Sequence, residues 1–369
     1  MKRKYLLTLQ ENSFIDNWIR SIRLTLGSIY FFYKEVKIVL YNICIRNQRI
    51  INATSDYLIE GTYVSLAYGD RIVNACSNVK NEIITFRSLD SKSQLILPLY
   101  KCFCKLIKYK VSNTGEKFKG VEIIISSSGN EYKIFKEGYM EVLTVFGNPN
   151  KLNTIISNRQ VFEQYFFVPK MLHYNIEEGY CIEQYINHTC FEMNKCIDSL
   201  LDNYKAYFYS TSCKFTIEID NNKPECQYFK KKYGNSKMLE EIQTLPKAFV
   251  HGDLWESNIL FNGVQYYLTD FELAGRRYFL YDFFCFIYSP YMIKGDGRLI
   301  EDYLLGRFDL KLGQLPKIGL FKYDPSNRGV FLLAFIVSIN YERWMGLRVE
   351  EDKVLKSLHM YIPEYFDNK

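Results

Sequence analysis

The chain has 369 residues, 48% hydrophobic and 24% charged, a balance ordinary for a globular protein and one that excludes disorder as the default state. Lys and Arg (47) outnumber Asp and Glu (41), for a formal net charge of +6. That excess favours an anionic partner such as a nucleotide, a phospholipid surface or an acidic glycan, but it is too small to imply nucleic acid. The ten Cys are scattered without a CxxC pair, and no His stands at zinc-ligand spacing from two of them, which argues against a metal–thiolate centre. Reduced thiols in a cytoplasmic protein are the simplest expectation, with no signal peptide and no apolar run near the ~18 residues of a spanning helix.

Residues 1–115 carry no motif and alternate apolar runs with basic residues. Within them, "PLYKCFCKLIKYK" reads as a helix. Pro98 suits a first turn, Lys101, Lys105 and Lys108 share one face, and Leu99, Phe103 and Leu106 share another. A basic amphipathic helix can lie on an anionic membrane surface, but a helix docked on the protein with one solvated face explains the same pattern and is preferred.

From Val121 the pattern changes to a β-rich run, a Ser/Gly/Asn turn at Ser127, Ser128, Gly129 and Asn130, and the strand "EYKIFK". A helix follows, with Leu152, Ile155, Ile156 and Phe162 at helical spacing, then a strand ending near Glu183 and Tyr185. The order hairpin, helix, strand resembles the small lobe of a kinase, with "IEQYI" where the linker to the large lobe would lie. Residues 196–247 read as polar and helix-prone, with Lys230, Lys231 and Lys232 in a solvated loop. Near the end, "GVFLLAFIVSINYERWMGL" is apolar almost all round and predicts a buried helix.

The chemistry concentrates in "FVHGDLWESNILF". Phosphoryl transfer needs the nucleophile oriented, a metal held between phosphates and the developing charge neutralised. His251, Asp253 and Asn258 reproduce the spacing of the loop H-R-D-x-x-x-x-N, with Gly252 in place of the Arg. The following "ILF-NG-VQYYLTD" predicts a two-residue hairpin at Asn262-Gly263 that pairs Phe261 with Val264. Both arms then return the same way, so Asn258 and Asp270 emerge at one end, an amide oxygen beside a carboxylate and suitable for Mg²⁺.

"HGDLWESNIL" followed by "YYLTDFELAGRRYFLYDFFCFI" resembles the aminoglycoside phosphotransferase and choline kinase superfamily, small-molecule kinases with a protein-kinase-like fold. "DFE" in place of "DFG" looks most like the choline/ethanolamine kinase branch and related kinases of bacterial sugars and envelope glycans. The strong resemblance covers residues 248–288, and a weaker one in element order runs from about 120 to the end.

The resemblance implies an α+β, two-lobed protein-kinase-like fold. An N-terminal region of unknown role (1–115) would precede a small antiparallel sheet lobe (116–186) for nucleotide binding and a larger, mostly helical lobe (187–369). Asp253 would be the catalytic base, His251 would brace the loop, and Asn258 and Asp270 would hold Mg²⁺ with Glu272 nearby. Asp282 would buttress the loop, although the residues alone read equally as a helix cap.

For ATP, Lys133 is the expected phosphate-contacting lysine, with Lys136 as the alternative. Ser128 and Gly129 would cover the phosphates through backbone N–H groups, and Glu183 lies at the linker. The acidic helix partner of that lysine is not evident. Ser157, Asn158 and Arg159 occupy the expected positions, and Glu163 is the nearest candidate.

Only eleven residues separate Asp270 from Asp282, too few for the segment that supports a protein substrate, so the acceptor is expected to be a small molecule with a hydroxyl. Tyr341, Glu342 and Trp344 could line a cationic acceptor's pocket. Arg276, Arg277, Arg343, Arg348 and the net charge favour a sugar or a cell-envelope glycan or lipid-linked precursor. No nucleic-acid partner is expected, because the 31 Tyr and 27 Phe are spread evenly. A cytoplasmic location, with peripheral contact to the inner face of the membrane, would fit a lipid-linked acceptor. A choline- or aminoglycoside-type kinase, or a pseudokinase scaffold, remains the alternative.

Overall fold

The computed structural model describes residues 41–66, 70–76, 107–112, 117–126, 131–211, 245–317 and 322–342, with single positions at 33, 37, 227 and 242. The chain divides into two compact units. The first comprises Met1–Pro149 with Met171–Tyr185, and the second comprises Asn150–Lys170 with Ile186–Lys369. The class is α+β, a sheet unit and a mostly helical unit, as the element order predicts.

In the first unit, helix α1 (Asn47–Thr54) precedes strands β1 (Gly61–Leu66), β2 (Arg71–Asn74), β3 (Lys108–Val111), β4 (Gly120–Ile125), β5 (Glu131–Lys136) and β6 (Glu141–Phe146). The hairpin of β7 (Met171–Asn175) and β8 (Tyr180–Gln184) completes it. These eight strands form one sheet in the order β3-β1-β2-β4-β5-β6-β8-β7, antiparallel throughout. Central β4 is buried along its whole length, so it reads as a continuous apolar run instead of an alternating one. Ile123 and Ile125 pack with Ile50, Tyr63 and Tyr109, while Ile124, one residue out of phase, packs with Phe135 and Tyr139. Buried Glu122 accepts from Arg71 Nε and Tyr139 Oη, both at 2.5 Å, which supplies the partners that a buried carboxylate requires.

The sheet crosses the expected division near residue 115, since β2 pairs directly with β4. Residues 61–74 and 108–111 therefore belong to the same sheet as "VEIII" and "EYKIFK". The helix expected over 98–110 is corrected at its end. Lys108, Tyr109 and Lys110 lie in β3 with a Lys-out, Tyr-in alternation, so the period there is two. Residues 98–106 lie outside the described residues, as do Ser127–Asn130 and Lys230–Lys232.

The second unit contains α2 (Pro149–Phe162), α3 (Met193–Thr211), β9 (Lys247–Val250), β10 (Ile259–Phe261), β11 (Tyr266–Leu268) and β12 (Gly275–Tyr278). Helices α4 (Tyr281–Lys294), α5 (Arg298–Leu304), α6 (Asp309–Leu312) and α7 (Arg328–Glu342) follow. As predicted, α7 is buried from Val330 to Ile339, against an aromatic core that includes Tyr281, Phe284 and Tyr288 of α4. The polar reading of residues after 196 missed a stripe. Cys196, Ile197, Leu200, Leu201, Tyr204, Tyr207 and Phe208 recur at helical spacing, and all are buried. Among the described residues no helix is long and apolar enough to cross a membrane.

Candidate active site

The loop begins where β9 ends. Strand β9 pairs with β12 so that Val250 faces Gly275 and Ala248 faces Arg277. The chain then turns at Gly252, whose φ of +80° favours glycine. A Cβ there would collide with the Leu273 carbonyl and the Arg277 guanidinium, so an H-R-D version of the loop does not fit this backbone. Arg277 donates instead to Leu273 O (2.7 Å) and lies over the Tyr281 ring at 5.0 Å. Gly252→Ala is expected to cost on the order of 2 kcal/mol or more in stability and to lower turnover. Thermal melting checks it, and an unchanged melting temperature would contradict this account.

His251 is fully buried against Phe162 and Phe271. Its Nε2 lies 2.9 Å from Thr269 O, and its Nδ1 accepts from Asp253 N at 3.3 Å. The tautomer with the proton on Nε2 satisfies both contacts. The ring touches backbone on both sides and has no access to solvent, the position of a brace.

Beneath it, Asp282 in the first turn of α4 is 1% exposed. Its carboxylate accepts from His251 N (2.6 Å), Gly252 N (2.8 Å) and the Tyr204 hydroxyl of α3. A carboxylate at a helix N-terminus is also favoured by the helix dipole. Tyr207, one turn further along α3, donates to Phe249 O at 2.8 Å.

Asp253 is half-buried, and Asn258 closes the loop over it. The Asn258 Nδ2 donates to Asp253 O (2.8 Å) and Oδ2 (3.0 Å) from a short 3₁₀ turn at Glu256–Asn258. Burial, and after it the charge of Asp270, pushes the Asp253 carboxyl up, against the opposing effects of His251, Trp255 and Asn258. A carboxyl raised in the folded state contributes stability that is fully present below its unfolded pKa and is lost as pH rises through the folded one. Asp253→Asn is therefore expected to raise the melting temperature at neutral pH. The gain should close on acidification through the carboxylate range, and an equal gain at both ends would contradict the shift.

The hairpin after Asn258 forms with a correction in its loop. Phe261 pairs with Tyr266, Leu260 with Tyr267 and Ile259 with Leu268, so four residues turn where two were expected. The Asn262 Oδ1 accepts from both Val264 N and Gln265 N, and Gly263 takes φ +93°. An Asx-type turn is thus used in place of the two-residue one. Stacking of Phe261 on Tyr266 at 4.6 Å accompanies the longer loop. A slip of two residues keeps every side chain on its expected face. It also places Thr269 opposite Asn258, with Thr269 N donating to Asn258 O at 3.0 Å, which brings Asp270 one residue away.

Asp270 has φ +67° and ψ +67°, a left-handed conformation that is uncommon outside glycine and concentrated at functional sites. Its carboxylate is exposed and accepts no hydrogen bond from the described residues. The Asn258 Oδ1 and the Asp270 carboxylate are hard oxygen donors, the kind that suits a Mg²⁺-like cation keeping waters and phosphate oxygens as further ligands. Among the described residues no cluster of three or more His, Cys, Asp or Glu could hold a metal alone. Glu272 is committed elsewhere, in an ion pair with Lys151 of α2.

Residues 233–316 match the phosphotransferase enzyme family. The matched segment contains His251, Asp253, Asn258, Asp270 and Asp282, and the match is to phosphotransferase enzymes. No curated protein sequence was found to match. Among solved structures, the chain is similar to a choline/ethanolamine kinase family protein from Mesorhizobium loti at 14% identity, covering 66% of this chain and 89% of that one (TM-score 0.41). A choline kinase from Streptococcus pneumoniae matches at 11% identity over 64% and 92% (TM-score 0.39). An aminoglycoside phosphotransferase from Streptomyces rimosus matches at 11% over 57% and 90% (TM-score 0.36).

Of the remaining expected site residues, Lys133, Lys136 and Glu183 sit in the sheet unit. Lys133 and Phe135 share one face of β5, while Lys136 is on the other face and pairs with Glu141 at 2.8 Å. Lys133 makes no ion pair among the described residues. Glu183 lies on β8 opposite Val142, and Tyr185 packs edge-on against Phe135 and Tyr139. Glu163 pairs with Arg159 at 3.7 Å, one turn back along the chain. Ser128, Gly129, Arg343, Trp344 and Arg348 lie outside the described residues, as does the Glu342 side chain.

Sequence reading missed Tyr204 and the two α2 residues, Lys151 and Asn158, that reach the "DFE" turn. The local signal for Lys151 was a cation in the first turn of a helix, where the dipole favours an anion.

Proposed function

We propose that the protein transfers the γ-phosphoryl group of ATP, with Mg²⁺, to a hydroxyl of a sugar or a cell-envelope glycan or lipid-linked precursor. The observation that carries this reading is the Asp253 carboxylate, held by Asn258 and raised in proton affinity by burial and Asp270. Such a carboxylate is suited to accept the acceptor's hydroxyl proton as the oxygen attacks the γ-phosphorus and the bond to the β–γ bridging oxygen breaks, releasing ADP. When bound at Asn258 and Asp270, the metal supplies charge neutralisation between the phosphates. Lys133, on the same face of β5 as Phe135 and without an acidic partner among the described residues, is the better of the two lysines for the phosphates.

The acceptor class rests on charge. The chain is net basic, and exposed Arg276 stands on β12, the strand that pairs with the start of the loop. The test is ADP release by purified protein with Mg²⁺ and ATP against sugars, envelope-glycan precursors, choline, ethanolamine and aminoglycosides. Turnover with a sugar or glycan supports the proposal. Turnover only with a cationic amine moves the protein to a choline- or aminoglycoside-type kinase. Nucleotide binding that no acceptor converts to turnover would favour a scaffold.

A further inference from the structure

Helix α2 stands where an acidic partner for the phosphate-contacting lysine was expected, yet its polar side chains point to other groups. Asn158, 9% exposed, donates through Nδ2 to Phe271 O at 2.9 Å and to Ala274 O at 3.4 Å, the first and last carbonyls of the turn that follows Asp270. Lys151, two turns earlier, pairs with Glu272 in the same turn. Phe162 at the end of α2 packs on Phe271 at 5.5 Å and on His251. The helix therefore grips the four residues after Asp270 at three points, through a charge, an amide and a ring. Neither Lys151 nor Asn158 belongs to the spacing that defines the catalytic loop.

Asp270 is left-handed, a conformation that costs a non-glycine residue energy and persists only when its surroundings hold it. Lys151 also opposes the α2 dipole in the first turn, a local cost that its ion pair with Glu272 offsets. The Lys151 side chain is 21% exposed and that of Glu272 is 42%, so the pair is shielded on the lysine side only and its part is to orient the turn more than to stabilise the fold.

We propose that Lys151 and Asn158 are positioning residues that hold the Asp270 carboxylate in place for the metal, acting through Glu272 and the Phe271–Ala274 turn. The assignment rests on the proposed function only in that Asp270 holds the cation. Neither residue touches the reacting groups.

The experiment is Mn²⁺ titration of the 369-residue chain with a non-hydrolysable ATP analogue, followed by the free-ion electron paramagnetic resonance signal. Asp270→Ala is the control, and thermal melting is recorded for each variant. Lys151→Ala and Asn158→Ala are each expected to weaken Mn²⁺ binding by about tenfold, as outer-shell partners of metal ligands do, with little change in melting temperature for Lys151→Ala and a modest fall for Asn158→Ala, which leaves two carbonyls without their donor. Lys151→Arg keeps the charge and is expected to bind within about threefold of the natural protein.

If the natural protein binds Mn²⁺, Asp270→Ala loses it and both α2 variants bind normally, the positioning role is wrong while the site reading stands. A loss in Lys151→Ala that appears only with a fall in melting temperature, and that Lys151→Arg does not restore, would show a structural role and overturn the proposal. No difference between the natural protein and Asp270→Ala would overturn both this inference and the metal assignment beneath it.

Discussion

Asp253→Ala is expected to reduce acceptor-dependent phosphoryl transfer by roughly 10²–10⁴-fold, the usual cost of removing a positioned general base. The loop is built around this side chain. His251 fixes the backbone before it, Asn258 donates to both its carbonyl and its carboxylate, and burial with the Asp270 charge raises its proton affinity. A raised carboxyl is a better base near neutral pH than a solvated one. Asp253→Asn should lose as much activity as the alanine variant while raising the neutral-pH melting temperature, which separates catalytic loss from unfolding. ADP release with the best acceptor of the panel measures both variants. Turnover within about tenfold of the natural protein would remove Asp253 from the role of base.

The second large effect is on stability. Asp282→Ala is expected to cost about 3–5 kcal/mol, because it strips the acceptor from three buried donors at once. Those donors are the backbone N–H groups of His251 and Gly252 and the hydroxyl of Tyr204, which come from the loop and from α3. None has a route to water, since Asp282 is 1% and His251 0% exposed. Tyr204→Phe removes one of the three bonds together with its donor, so it should cost only about 1 kcal/mol. Urea unfolding of the two variants gives the comparison. A cost below about 1 kcal/mol for the alanine change would mean that water reaches the loop and that Asp282 is not its support.

The readable parts of the protein are those in which the chemistry is local. His251, Asp253 and Asn258 lie within eight positions, and a turn signal at Asn262-Gly263 brings Asp270 back to them. Strand β5 and helix α2 announced themselves by the spacing of their apolar residues, and β4 and buried α7 by unbroken apolar runs. Even the misjudged hairpin loop preserved the site, because a slip of two residues leaves strand faces unchanged. The error came from reading Asn-Gly by its commonest turn, while the Asn262 side chain chose another by accepting two backbone N–H groups.

What stayed hidden was pairing over long separations. Short-range pattern shows that Asp282 begins a helix; that its carboxylate holds a loop thirty residues earlier was legible only through the family resemblance, and its bond to a tyrosine of α3 was not legible at all. Strands β1–β3 carried no decisive period, and only hydrogen bonding to β4 made them part of the sheet. Lys151 and Asn158 gave no sign of their partners more than a hundred positions away. Local order thus follows from residue spacing, since backbone geometry repeats every two or 3.6 residues. The support of the site was settled by the folded chain, because buried charges and N–H groups must find partners wherever packing places them.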